Sequence, residues 1–149
     1  MIRRVRQQRL LDCVCLLAIC VSAVLIVGCS DGRPKRVKVS GHVTIDGAPL
    51  KYGSVLFVPE QGRPAGAGLD EQGHFELTTY EKGDGIIPGN YKVQIKGTEA
   101  IGETAQRWHA PVKYSKTESS GIEYDIQEPT YSLLIELSWD GGKPFVQKF

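Results

Sequence analysis

From Val37 onward the chain alternates apolar and polar side chains. Val37, Val39, Gly41, Val43 and Ile45 fall on one face of an extended segment, while Lys38, Ser40, His42 and Thr44 fall on the other. An apolar position at every second residue predicts a strand buried on one side only. Asp46 and Gly47 supply a turn. A second strand is expected over residues 54–58 and into Pro59, with Pro49, Leu50 and Gly53 shaping its approach. Residues 60–66 form a loop rich in Gly and Pro. Segments 67–69 and 74–78 then bracket Asp70, Glu71, Gln72 and Gly73, a connection of hairpin length whose glycine takes positive φ without cost. Phe75 and Leu77 point one way from that second segment, and His74, Glu76 and Thr78 the other.

After a glycine-rich loop over residues 80–90, Tyr91, Val93 and Ile95 alternate with Lys92, Gln94 and Lys96, the cleanest strand pattern in the chain. Residues 97–120 are polar and irregular apart from Trp108, Pro111, Val112 and Tyr114. A loop of that length inside a small domain points to function or to disorder. Ile122, Tyr124 and Ile126 alternate with Glu123 and Asp125, and 132–137 reads as a last strand beyond Pro129. Residues 139–149 read as a tail carrying Trp139, Phe145 and Phe149 around the turn signal Asp140, Gly141, Gly142. No helical period runs through any segment past residue 28. About seven short strands joined by turns over roughly 100 residues predict an all-β fold, a single antiparallel β-sandwich.

Ahead of the alternating region the pattern is different in kind. Arg3, Arg4, Arg6 and Arg9 precede an uncharged run over 13–28, and basic, then apolar, then small residues make an export signal. A spanning helix needs about 20 apolar residues, so this run is short for a permanent anchor. The run ends in Ile26, Val27, Gly28 and Cys29, which resembles the lipobox of bacterial lipoproteins. That resemblance implies cleavage before Cys29, a thioether-linked diacylglyceryl group on its sulfur, and frequently an acyl group on its new amine. Two or more acyl chains hold a protein stably at a membrane, each buried methylene contributing about 0.8 kcal/mol. The plainer reading is an uncleaved signal anchor in which Cys29 is a bystander. Ser30 is not the Asp that retains many such lipoproteins at the inner membrane, so the resemblance implies an outer-membrane destination.

Loss of the leader changes the bulk numbers. Without Arg3, Arg4, Arg6, Arg9 and Asp12, the 18 basic and 17 acidic residues become 14 and 16, a net charge near −2. A nucleic-acid-binding domain carries the opposite imbalance. Of the 4 cysteines only Cys29 remains, so no disulfide forms within the mature chain and a packed core must hold the fold. Arg33, Pro34, Lys35 and Arg36 belong to a polar, breaker-containing tether over 29–36. Its charges either lie against anionic headgroups or wall polymers or merely keep the linker solvated.

One family resemblance covers about residues 37–95. Gly41, Val43, Gly47, Pro49, Leu50, Gly53 and Val55, then Asp70, Gly73, Phe75 and Leu77, then Pro88, Gly89, Tyr91 and Val93 look like the carboxypeptidase regulatory-like domain. The resemblance implies an immunoglobulin-like, transthyretin-like sandwich over 37–138, of the kind carried singly by small bacterial lipoproteins. Two connections, 79–87 and 97–120, are longer than that pattern requires. These residues specify a fold through turns and inward faces, and they say little about chemistry.

Candidate chemistry is sparse. His42, His74 and His109 are the only bases suited to neutral pH. The first two occupy outward strand positions and would share a metal only if their strands were neighbours; with no carboxylate or cysteine at ligand spacing in sequence, sheet-surface histidines are the expectation and no metal site is assigned. Asp46, Asp70 and Asp84 fall in turns, where Asp is favoured for local hydrogen bonding, and none of the loops has EF-hand spacing. Ser119 and Ser120 lack a nucleophile-elbow pattern, and no phosphate-binding glycine motif occurs. Catalytic residues are therefore expected to be none, and a cofactor other than the lipid on Cys29 none. Trp108, His109 and Tyr114 are the candidate binding residues: exposed, the rings make a platform for sugars or a partner protein; folded back, they cover an open end of the sandwich. The expectation is an exported, lipid-anchored, non-catalytic binding or structural module facing the periplasm or cell surface; the alternatives are a carbohydrate- or protein-binding accessory factor using the Trp108 and Tyr114 loop, and a metal-binding protein or metal-dependent enzyme. Its partners would be the membrane and an envelope protein or polysaccharide, with no nucleic acid.

Overall fold

A computed structural model describes residues 32–149. The leader and Cys29, with the expectations placed on them, lie outside the described residues. Among the described residues eleven strands run in the order β1 (Val39–Ile45), β2 (Ala48–Pro49), β3 (Ser54–Pro59), β4 (Ala65–Gly68), β5 (His74–Glu76), β6 (Gly89–Lys96), β7 (Thr98–Ala100), β8 (Ala105–Trp108), β9 (Ile122–Ile126), β10 (Thr130–Leu137) and β11 (Phe145–Lys148). The fold is all-β, as the alternation predicts, but with more strands than the seven it makes visible.

One sheet is built on β1. Strand β10 lies parallel along one edge, while β5 and β2 share the other, pairing antiparallel over Ser40–His42 and Thr44–Ile45 respectively. The second sheet is fully antiparallel in the order β4-β3-β6-β9. Side chains from both sheets interleave: Val39, Val43, Phe75, Leu77 and Ile135 from the first meet Val55, Phe57, Tyr91, Val93 and Ile95 from the second, and all are buried. Phe57 is the central ring, with Phe75, Tyr91 and Tyr124 centred 6.4, 6.1 and 6.0 Å away. These are ordinary separations for aromatic packing. Residues 34–149 belong to one compact unit.

Three expectations need correction. The segments on either side of the Asp70–Gly73 turn make no continuous ladder, since β4 joins β3 and β5 joins β1; they are linked by a bridge between Gly66 and Thr78 and by the Asp70 N–H donated to His74 C=O at 3.1 Å. The turn is real: the Asp70 carboxylate accepts the N–H groups of Gln72 and His74 at 2.9 and 2.8 Å, and Gly73 sits at φ +72°. Second, β1 and β10 are parallel, which a wholly antiparallel sandwich excludes. Alternation carries no information on strand direction, and parallel neighbours far apart in sequence leave no turn signature. Third, 97–120 and 139–149 are neither an irregular loop nor a free tail. They supply β7, β8 and β11 of a third sheet, ordered β11-β8-β7, together with a 3₁₀ turn over Val112–Ser115 and one helical turn over Thr117–Ser120.

Candidate functional site

The small sheet places the Trp108 region. β7 turns back into β8, with Ile101 N–H donating to Ala105 C=O at 2.8 Å, and β11 lies antiparallel on the far side of β8. Phe145 is opposite Trp108 in this register and Gln147 is opposite Gln106. The two aromatic rings stack at 6.1 Å with their planes 12° apart. Gln147 Oε1 accepts from Trp108 Nε1 at 2.8 Å and from Gln106 Nε2 at 3.0 Å. A buried indole thus gains both an apolar cover and a partner for its N–H.

His109 and Tyr114 are fixed by other groups. His109 Nε2 lies 2.9 Å from Glu99 Oε2, which also contacts Arg107 Nη1 at 3.5 Å. The His109 ring stacks on Tyr52 at 4.6 Å. The Tyr114 hydroxyl donates to the C=O of Ser138 at 3.4 Å and receives its N–H at 3.3 Å. Lys113 lies over the Tyr114 ring at 4.8 Å and pairs with Asp140. Their hydrogen bond is the chief reason the Lys113 ammonium is shifted up and the Asp140 carboxyl down.

Trp108 is only 6% exposed and Tyr114 only 8%. Neither ring stands in solvent as a platform: Phe145 and Gln147 close over Trp108, and Tyr114 packs with the core of the sandwich. The exposed apolar surface belongs instead to their neighbours. Tyr52, Ile101, Val112, Phe145, Val146 and Phe149 lie on or beside the small sheet and make up six of the eight large exposed hydrophobic side chains among the described residues. A shallow recess of about 600 Å³ opens there between Trp108, Val112, Lys116, Phe145 and Gln147.

A larger groove of about 750 Å³ crosses one end of the second sheet, between Pro59, Arg63, Pro88, Lys92, Tyr124 and Asp125. Its wall mixes Glu60, Glu123 and Asp125 with Arg63 and Lys92, so it favours neither ligand charge strongly. The Arg63 guanidinium lies over the Tyr80 ring at 5.1 Å. Burial pushes the phenols of Tyr91 and Tyr124 above their ordinary range, which keeps both neutral.

The remaining candidates take local roles. Asp46 Oδ1 accepts Trp139 N–H at 3.3 Å, and Asp84 accepts Thr79 N–H at 2.8 Å and pairs with Arg36 Nε at 2.9 Å. Ser119 Oγ donates to Lys113 C=O at 2.6 Å, and Ser120 Oγ accepts Ile122 N–H at 3.3 Å. Among the described residues no group of three or more His, Cys, Asp or Glu side chains is arranged to hold a metal. His42 and His74 are brought together, directly opposite across β1 and β5, a juxtaposition sequence spacing does not reveal. The covering role of Phe145 and Gln147 was also missed; its one signal is that the pair repeats the aromatic, polar alternation of Trp108 and Gln106. Compared with protein-family models, curated proteins and solved structures, the chain matches none.

Proposed function

We propose that the chain is a lipid-anchored β-sandwich of the cell envelope that works by binding or structural support without catalysis, its acyl chains carried on Cys29. The observation that carries this reading is the placement of Ile26, Val27, Gly28 and Cys29 at the end of a short uncharged run behind four arginines. The start of the folded unit is compatible with a tether that pulls on it. Arg36 is held by Asp84 at 2.9 Å and by the Tyr80 ring at 5.2 Å, and Val37 exchanges backbone hydrogen bonds with Ile86. Chain from Cys29 to Arg36 spans at most about 25 Å when fully extended. A domain anchored there works close to a membrane, with Ser30 favouring the outer one. Replacing Cys29 by Ala in cells that make the protein tests the anchor. The unaltered chain sediments with membranes and needs detergent for release, whereas the Cys29→Ala chain loses that behaviour; equal membrane retention of both would sink the reading.

A second reading is an accessory factor that binds carbohydrate or protein at the Trp108 loop. It is supported by exposed Val112 and Phe145 beside Trp108 in the wall of the recess. In this form Trp108 lines the site, His109 and Tyr114 stand outside its wall, and Phe145 makes the contact. Binding to a glycan array or a purified envelope protein that Phe145→Ala abolishes would support it; binding indifferent to Phe145→Ala would place the contact elsewhere.

A further inference from the structure

The antiparallel pairing of β1 with β5 sets His42 against His74 on the outer side of the first sheet, while the adjacent Val43 and Phe75 are buried beneath. The ring centroids are 5.1 Å apart and the planes meet at 60°. Two imidazoles bound through nitrogen to one tetrahedral ion at about 2.1 Å have centroids about 5 Å apart. That spacing is also ordinary for edge-to-face rings, so the pair can take up one ion without moving apart.

A third group orients the pair. Asp70 Oδ1 is pinned by the N–H groups of Gln72 and His74, which leaves Oδ2 facing His74 Nδ1 at 3.6 Å. That is an ion-pair separation, longer than a hydrogen bond. A carboxylate on Nδ1 keeps the proton there and presents the Nε2 lone pair outward, the arrangement that serves histidine ligands in metal sites.

We propose that His42 and His74 form a surface site for a borderline divalent cation of the Zn²⁺ or Ni²⁺ class, with Asp70 as its positioning residue. Imidazole suits these ions, and carboxylate-only sites suit harder ones. Two protein ligands leave the other positions to water or to a donor from a partner molecule, so the site is open and of modest affinity, unlike a closed structural zinc. It is distinct from the small sheet and does not depend on the lipid anchor.

Titration of the full, untagged chain in detergent with Zn²⁺ alone, followed by calorimetry and by the histidine ring signals in NMR, tests the site. Expected is one ion per chain at micromolar Kd, with the His42 and His74 signals moving and the His109 signal still. His42→Ala and His74→Ala each weaken binding at least about tenfold, and the double variant binds no tighter than either single one. Far-UV circular dichroism of these exposed-site variants verifies that they fold. Asp70→Asn lowers the plateau affinity about tenfold and alters the metal-free His74 ring ¹⁵N signals that report which nitrogen holds the proton, with circular dichroism unchanged. Binding no tighter than about 1 mM, binding unchanged in either histidine variant, or shifts confined to His109 overturns the proposal.

Discussion

At Gly41 one hydrogen in place of a methyl group decides whether two strands lie side by side. A Cβ there would stand 2.0 Å from the Leu133 carbonyl oxygen and 2.9 Å from the Leu133 Cβ, closer than atoms tolerate, because β10 crosses the strand at a register shift between Val39 and Gly41. Gly41→Ala is therefore expected to cost about 1–3 kcal/mol or more by overpacking, read as a lowered urea midpoint with an unchanged slope. Asp84 provides a pH-dependent counterpart. Burial pushes its carboxyl up, but N–H groups of Thr79, Glu81 and Tyr80 together with the Arg36 charge outweigh that and hold it below the ordinary value. A lowered folded pKa contributes stability that is complete above the unfolded carboxyl's value of about 3.9 and is lost as the pH falls through the folded one. Stability measured by urea from pH 7 to pH 2 should fall on the acid side, and Asp84→Asn should flatten part of that fall while lowering stability at neutral pH. An unchanged acid limb in the variant would remove Asp84 from the account.

At the scale of elements, β11 is what makes the region around β8 a built surface. Phe145 stacks on Trp108 and Gln147 takes its N–H, so Phe145→Ala should open the indole to water. In a Trp139→Phe background, acrylamide should quench Trp108 several-fold more in the Phe145→Ala chain, and equal quenching would mean that β11 does not cover the ring. This element was the least legible part of the sequence. β1, β3, β6 and β9 announce themselves because each buries every second side chain, and Val43, Phe57, Val93 and Ile126 are where the alternation puts them. β11 is exposed along its whole length, and β7 and β8 bury little beyond Trp108. Strands that pack on no core leave no inward face to read, and pairing across residues 105–148 has no local signal. The same limit hid the His42 and His74 pair: each residue reads correctly as outward, yet their adjacency depends on which strand β5 joins.

At the scale of the whole molecule, two sheets interleave through one core, and the small sheet adds apolar surface that the core does not require. Among the described residues no helix is long and apolar enough to cross a membrane. The proposed attachment rests on Cys29 and its lipid chains, with the Arg36 clasp as the point where the tether meets the folded body. The histidine pair and the small sheet would then be displayed near a membrane surface by a module whose own interior is given over to packing. Intact-mass analysis of the natural protein extracted from membranes tests this account most directly. It predicts a mature chain beginning at Cys29 and heavier than its amino acids by a diacylglyceryl group, with or without one further acyl chain; a chain that keeps residues 1–28, or one whose Cys29 is a free thiol, contradicts it.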